Sequence, residues 1–231
     1  MRIRSFALSA LAPLALVACD TVELTNAGTG GSNDIATVRF VNATGTNLDI
    51  AENGVVASGN GSIAFGRSTS CFTVDASSPG LSVRTAGTST ALPGLSANLV
   101  NGGNYTILAY PGSNGSTQFT VLSNANAPAS GQAGLRVFNA SGSGPFDVYT
   151  AASGGSFVTP SATSIASGSA STFFDVAPGT GAMVRLSNAG TTTDALTIDD
   201  LTWTAGQSQT LVIAPPAAGS TDLRTFLVSG C

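Results

Sequence analysis

The chain contains no histidine, and its eight basic residues are all arginine, so lysine is missing as well. Each absence excludes chemistry. Without histidine there is no Ser-His-Asp triad and no Cys-His pair. Without lysine there is no Walker loop, no Schiff base and no Ser-x-x-Lys nucleophile. No G-x-S-x-G elbow occurs. Cysteine is scarce too, with three in the chain, too few for a zinc centre without histidine. Charged residues make up only 9% of the chain, and acids outnumber bases twelve to eight. An acidic chain lacks the basic patch that nucleic acid requires. What remains for acid–base work is paired carboxylates, and the candidate is Asp199-Asp200 with Asp194 nearby. Neighbours in a strand point to opposite faces and neighbours in a turn face water, which argues against a glycosidase pair there. No Asp-x-Asp-x-Asp-Gly calcium loop is present, so neither a metal nor a cofactor is expected.

The residues that are present begin with a leader. Arg2 and Arg4 precede a small, apolar run from Phe6 to Val17, too short to span a bilayer and flanked like a secretory signal. The run ends in "LVAC", Leu16 to Cys19, which resembles the lipobox of bacterial lipoproteins. The resemblance implies a signal peptide over 1–18 and a diacylglycerol on the Cys19 sulfur, with the freed amine acylated as well. Each buried methylene of such an anchor is worth about 0.8 kcal/mol. The expected location is the cell envelope, on the periplasmic side or the outer surface. Asp20 after the cysteine leaves the choice of membrane open. Residues 19–34 are rich in Gly, Ser, Thr and Asn and read as a flexible tether.

With Cys19 lipidated, two cysteines are left in an oxidising compartment, Cys71 and the last residue, Cys231. A free thiol there is a liability, so a Cys71–Cys231 disulfide is expected. The alternatives are two buried thiols or pairing between molecules.

The mature chain says much the same thing twice. "VRFVNATGTNLDI" (Val38 to Ile50) recurs as "LRVFNASGSGPFDV" (Leu135 to Val148). "CFTVDASSPGLSVRTAGTS" from Cys71 matches "STFFDVAPGTGAMVRLSNAGTT" from Ser171, which pairs Arg84 with Arg185 ahead of an Ala-Gly-Thr turn. "NLVNGGNYTILAYPG" (Asn98 to Gly112) matches "LTWTAGQSQTLVIAPP" (Leu201 to Pro216). The spacing indicates tandem duplication of a unit of roughly 95 residues, a usual domain size. Short runs of Val, Ile, Phe, Leu and Thr alternate with polar residues between Gly, Pro and Asn, and no helical stripe appears. The expected fold is all-β, with two tandem antiparallel sandwiches of about seven strands each, immunoglobulin-like or transthyretin-like. The first covers 35–124, a linker 125–133, and the second 134–231.

These phrases resemble the bacterial domain-of-unknown-function 4397 family, whose units open on a "vRvvnas" strand, continue to an aspartate-bearing strand and carry a later "R-aG" phrase. The resemblance covers nearly all of 35–231. The second unit departs from it where "GQSQTLVIA" lacks the tyrosine of "GGNYTILAY". It implies fold, tandem arrangement and surface location, and no catalytic residue.

Repeated polar residues are the candidate sites. Arg39 and Asp49 recur as Arg136 and Asp147, and are expected to form cross-strand ion pairs that fix register, rather than to grip a ligand. Asn42 and Asn139 are expected to bond their own backbone and shape a turn before Gly45 and Gly142. Trp203, Tyr105, Tyr110 and Tyr149 would make a sugar platform only if exposed; Trp203, between threonines, reads as core. The function expected is a non-enzymatic, lipid-anchored structural or binding module that meets an envelope polysaccharide or a surface protein. The other reading is a carbohydrate-binding or adhesin-like module, calcium-assisted.

Overall fold

A computed structural model describes residues 34–231, so the leader, Cys19 and all of the tether but its last residue lie outside the described residues. Among the described residues fifteen strands follow one another with no helix between them. The first half holds β1 (Ile35–Asn42), β2 (Leu48–Glu52), β3 (Arg67–Ser68), β4 (Phe72–Asp75), β5 (Leu81–Thr85), β6 (Asn104–Pro111) and β7 (Thr117–Ser123). The second holds β8 (Ala133–Asn139), β9 (Phe146–Ala151), β10 (Ala162–Ile165), β11 (Phe174–Val176), β12 (Gly179–Asn188), β13 (Asp194–Trp203), β14 (Ser208–Ala214) and β15 (Arg224–Ser229). The chain is all-β, as its alternation and turn residues predict.

Each half is a sandwich of two sheets. In the first, β1 pairs with β3, β4 and β6, with β7 beyond β6, and this sheet faces the two-stranded β2–β5 sheet. In the second, β11-β8-β14-β15 faces β10-β9-β12-β13. All ladders are antiparallel but one in each half: β1 runs parallel to β6, and β8 parallel to β14. The inner faces follow from strand alternation. Ala36, Val38 and Phe40 of β1 meet Ile50 of β2 and Val83 of β5 in one core. Leu135 and Val137 of β8 meet Val148, Val184, Leu186 and Trp203 in the other.

The outward residues of β8, and those at the C-terminal end of β1, do not face water. Val41, Ala43 and Leu108 from the first half pack with Phe138, Ala140, Val212 and Val228 from the second in a third core. Val41, Leu108, Phe138 and Val212 are fully buried, and each such side chain contributes about 1.5–3 kcal/mol on leaving water. That sum is comparable with the whole net stability of a domain. The described residues accordingly fall within a single compact unit. Every residue of β8 is buried because both faces of its sheet are covered.

The two halves also differ. Asn98–Val100, which the matched phrase predicts to be a strand, is irregular. Pro93 and Gly94 break the run, and the segment folds over the core through Leu92, Leu95 and Leu99. In the second half this place is taken by the ten-residue β13.

Candidate functional site

The repeated phrase "NA(T/S)G" builds a corner. Asn42 is fully buried, and its amide donates to the carbonyls of Thr46 (2.7 Å) and Ile63 (2.7 Å). Its oxygen accepts from the Thr44 N–H (2.8 Å) and hydroxyl (2.7 Å). Asn139 repeats this with Ser143, Ile165 and Ser141. The asparagine thus bonds its own loop, as expected, and also ties it to a distant carbonyl. The corner carries the chain from one sheet of the sandwich to the other, since β1 and β2 do not pair with each other.

That crossing overturns the expected Arg39–Asp49 and Arg136–Asp147 ion pairs. Asp49 lies on β2 opposite Arg84 of β5, in the sheet that faces β1. Its carboxylate accepts the backbone N–H of Ser62 (2.6 Å) and of Gly87 (3.1 Å). Asp147 does the same with Ser164 (2.8 Å) and Gly190 (2.9 Å). Ser62 and Ser164 both have φ of 52°, and Gly87 and Gly190 have φ of 79° and 73°. Both aspartates therefore anchor left-handed turns, which explains why glycine recurs in the "AG" phrase. Arg84 Nε stands 3.8 Å from Asp49, beyond hydrogen-bond range.

The matching of Arg84 with Arg185 is also corrected. Asp49 faces Arg84, but Asp147 faces Ser187, two residues further on. Arg185 instead stacks on Tyr149 (4.3 Å to the ring centre) and Phe157 (4.8 Å) and meets Asp194 at 3.4 Å.

Arg39 and Arg136 belong to the junction between the halves. Arg39 donates to the Ser229 carbonyl at the end of β15 (2.6 Å) and to Cys71 Sγ (3.3 Å). Arg136 donates to the Ser123 carbonyl at the end of β7 (2.7 Å), to Asn124 Oδ1 (3.2 Å) and to Thr210 Oγ1 (3.0 Å from Nη2). Each arginine reaches into the other half. Such reciprocity marks a two-fold interface, here within one chain. Arg136 meets no carboxylate among the described residues, and burial pushes its pKa down to about 10, which leaves it a cation at neutral pH. Its guanidinium lies 4.4 Å from the Phe173 ring centre. Phe173 stands where the first half has Cys71, since Phe72 faces Val38 and Phe174 faces Leu135.

The Cys71–Cys231 disulfide is formed, with Cα atoms 5.8 Å apart across a separation of 160 residues. It joins the edge of the first sandwich to the end of the chain. The four aromatic residues form no common platform: Trp203, Tyr105 and Tyr149 are 4%, 8% and 9% exposed, and Trp203 is core as expected. Tyr110 packs edge-on against Phe138, centroids 5.2 Å apart. Asp199 and Asp200 are exposed on the edge strand β13, in a bulge where Ile198 and Leu201 face Val184 and Ala182, and Asp200 has φ of 59°. Charges and a bulge on an edge strand block further pairing. Among the described residues no cluster of three His, Cys, Asp or Glu side chains is placed to hold a metal ion.

The junction has two ends, related by the same pseudo-symmetry. Gly66 and Gly168 hold matching places, donating to the carbonyls of Asn42 (2.8 Å) and Asn139 (2.7 Å). Phe65 therefore matches Ser167. At one end the Phe65 ring packs edge-on against Phe226 (5.6 Å) under the Arg224 guanidinium (3.6 Å). At the other end a cleft of about 430 Å³ opens beside Ser167.

No curated protein matches this chain. Residues 36–149, which run from β1 to β9, match the family model described as "Domain of unknown function (DUF4397)", and over that stretch the chain is similar to that family.

Proposed function

We propose that the chain is a non-enzymatic, lipid-anchored cell-envelope protein, in which two tandem copies of the domain serve as a structural or binding module. In this reading residues 1–18 are the signal peptide, Cys19 carries the lipid, and 134–231 form the second copy. The observation that carries it is the use to which the repeated polar residues are put. Asn42, Asp49, Arg39 and their twins bond the chain's own backbone and neighbouring side chains, so the duplicated phrase builds scaffold rather than a reaction centre. The second reading, a carbohydrate-binding module, draws support from the uncharged cleft between the sandwiches.

Two measurements test the proposal. Labelled palmitate fed to a bacterial host should enter the chain and be lost in Cys19→Ser; labelling that survives the substitution overturns the anchor. The full chain, purified in detergent, should retain envelope material or glycans in an affinity capture run with and without calcium. If nothing is retained in either condition, the role is structural alone.

A further inference from the structure

We infer that the open cleft at the sandwich junction binds one ring of a neutral saccharide, an inference that rests on the binding-module reading above. The two ends of the junction break the pseudo-symmetry. At the filled end, Phe65 supplies a ring and Arg224 covers it at 3.6 Å. At the open end Ser167 stands in place of Phe65. Gln118 stands in place of Arg224, since Tyr110 faces Gln118 as Ala214 faces Arg224. At the filled end the Phe65 ring occupies the corner; at the open end that ring is missing, and Tyr110, in the place of Ala214, lines the space from the side of Gly168.

The lining decides the chemistry. Tyr110, Ser113, Asn114, Gln118, Ser167 and Gly168 surround the cleft, and none is charged. A charged ligand would leave water without a counter-charge, and a wholly apolar one would cover amides and hydroxyls without bonding them. A sugar ring satisfies both demands: hydroxyls bond to side-chain amides and serines, and its C–H face lies on an aromatic ring. Tyr110 is the aromatic ring that lines the cleft, and its edge-on contact with Phe138 fixes it there. Its hydroxyl lies so near Gly168 that a methyl group there would sit 3.1 Å from it, so the turn closes directly on the tyrosine. A volume of about 430 Å³ lies within the roughly 300–1,000 Å³ usual for small-molecule sites.

Saturation-transfer NMR on the full chain in detergent tests this, with cellobiose and diacetylchitobiose as neutral probes and glucosamine and galacturonic acid as charged ones. At least one neutral disaccharide should bind with a Kd on the order of 1 mM or tighter, and the charged monosaccharides should bind more weakly. Ser167→Phe refills the corner as Phe65 does at the other end, and should weaken binding by about tenfold or more. Gln118→Ala, at an exposed strand position, should weaken it while leaving the melting temperature unchanged. Failure of both neutral probes to bind overturns the inference, as does binding that neither variant weakens. Envelope capture that persists in Ser167→Phe would remove the cleft from the binding role and leave the binding-module reading standing.

Discussion

Replacing Asn42 by alanine separates a scaffold asparagine from one displayed to a partner. The side chain is fully buried and makes four hydrogen bonds of 2.7–2.8 Å. After truncation the Ile63 carbonyl keeps the Leu48 N–H (3.1 Å), and the Thr46 carbonyl keeps the Thr44 hydroxyl (3.1 Å). The Thr44 N–H is left buried without an acceptor. An orphaned buried donor costs about 1–3 kcal/mol, and each lost bond about 0.5–1.5 kcal/mol net. Because two carbonyls retain a donor, a simple sum overcounts, and about 3 kcal/mol is the working value. In a chain of this size that lowers Tm by on the order of 6–12 °C. Asn42→Asp should be at least as damaging at neutral pH. It loses both amide donors and sets a carboxylate against two carbonyl oxygens. Protonation restores one donor, so the aspartate variant should recover partly as pH falls. Urea and thermal unfolding followed by circular dichroism provide the readout, and Asn139→Ala should match Asn42→Ala. A change within about 0.5 kcal/mol, the range of an ordinary surface substitution, would refute the scaffold role of Asn42.

Asp49→Asn should destabilise by about 1–3 kcal/mol, because an amide has one acceptor for two backbone N–H groups, whereas Arg84→Met should cost under about 1 kcal/mol; equal effects in urea unfolding would restore the ion pair as the dominant contact. Cys231→Ser should lower stability by about 2–5 kcal/mol, as expected for a bridge that closes a long loop, and intact mass should show two thiols appearing only after reduction; thiols that are free beforehand would contradict the bridge. Asp75 accepts the Ser77 hydroxyl and the Ser77 and Ser78 N–H groups, which hold its carboxyl below the ordinary aspartate value. Its contribution to stability is thus present above that ordinary value and lost as pH falls through the depressed one. Carboxyl NMR titration should show Ser77→Ala moving it back up, and an unchanged titration would rule out the hydroxyl as its cause.

The sequence made most of the strands, the repeated phrases, the disulfide and the burial of Trp203 legible, because each rests on local pattern or on counting. Partners across sheets were not legible. Arg39 and Asp49 lie close in sequence and carry opposite charge, and only the Asn42 corner reveals that they sit in different sheets. The Arg84–Arg185 match failed because identical residues two apart keep the same strand face, so alternation cannot detect the slip. One signal for the junction was present. "LRVFNA" and "TLVIA" are near-continuous apolar runs, and such runs mark strands covered on both faces. The open cleft left no trace in the pattern, since it depends on a serine standing where the matching position has a phenylalanine.

The reciprocal arginine clamp has a consequence for how the chain assembles. Arg136 finds the Ser123 carbonyl among residues made before it, whereas Arg39 must wait for Ser229, 190 residues further along. The parallel ladder adds a second delay, because Thr37 pairs with Asn104. Contacts of such long sequence separation slow folding, since the loop must close before it is rewarded. A chain emerging from its N-terminus therefore presents the outer face of β1 until the second half is made, and Arg39 stays without its carbonyl until the last strand arrives. The second half can dock onto a finished edge, while the first half is completed only by the second. Any truncation before β8 leaves Val41 and Leu108 without Phe138, Val212 and Val228, and their exposure is the expected source of aggregation in incomplete chains.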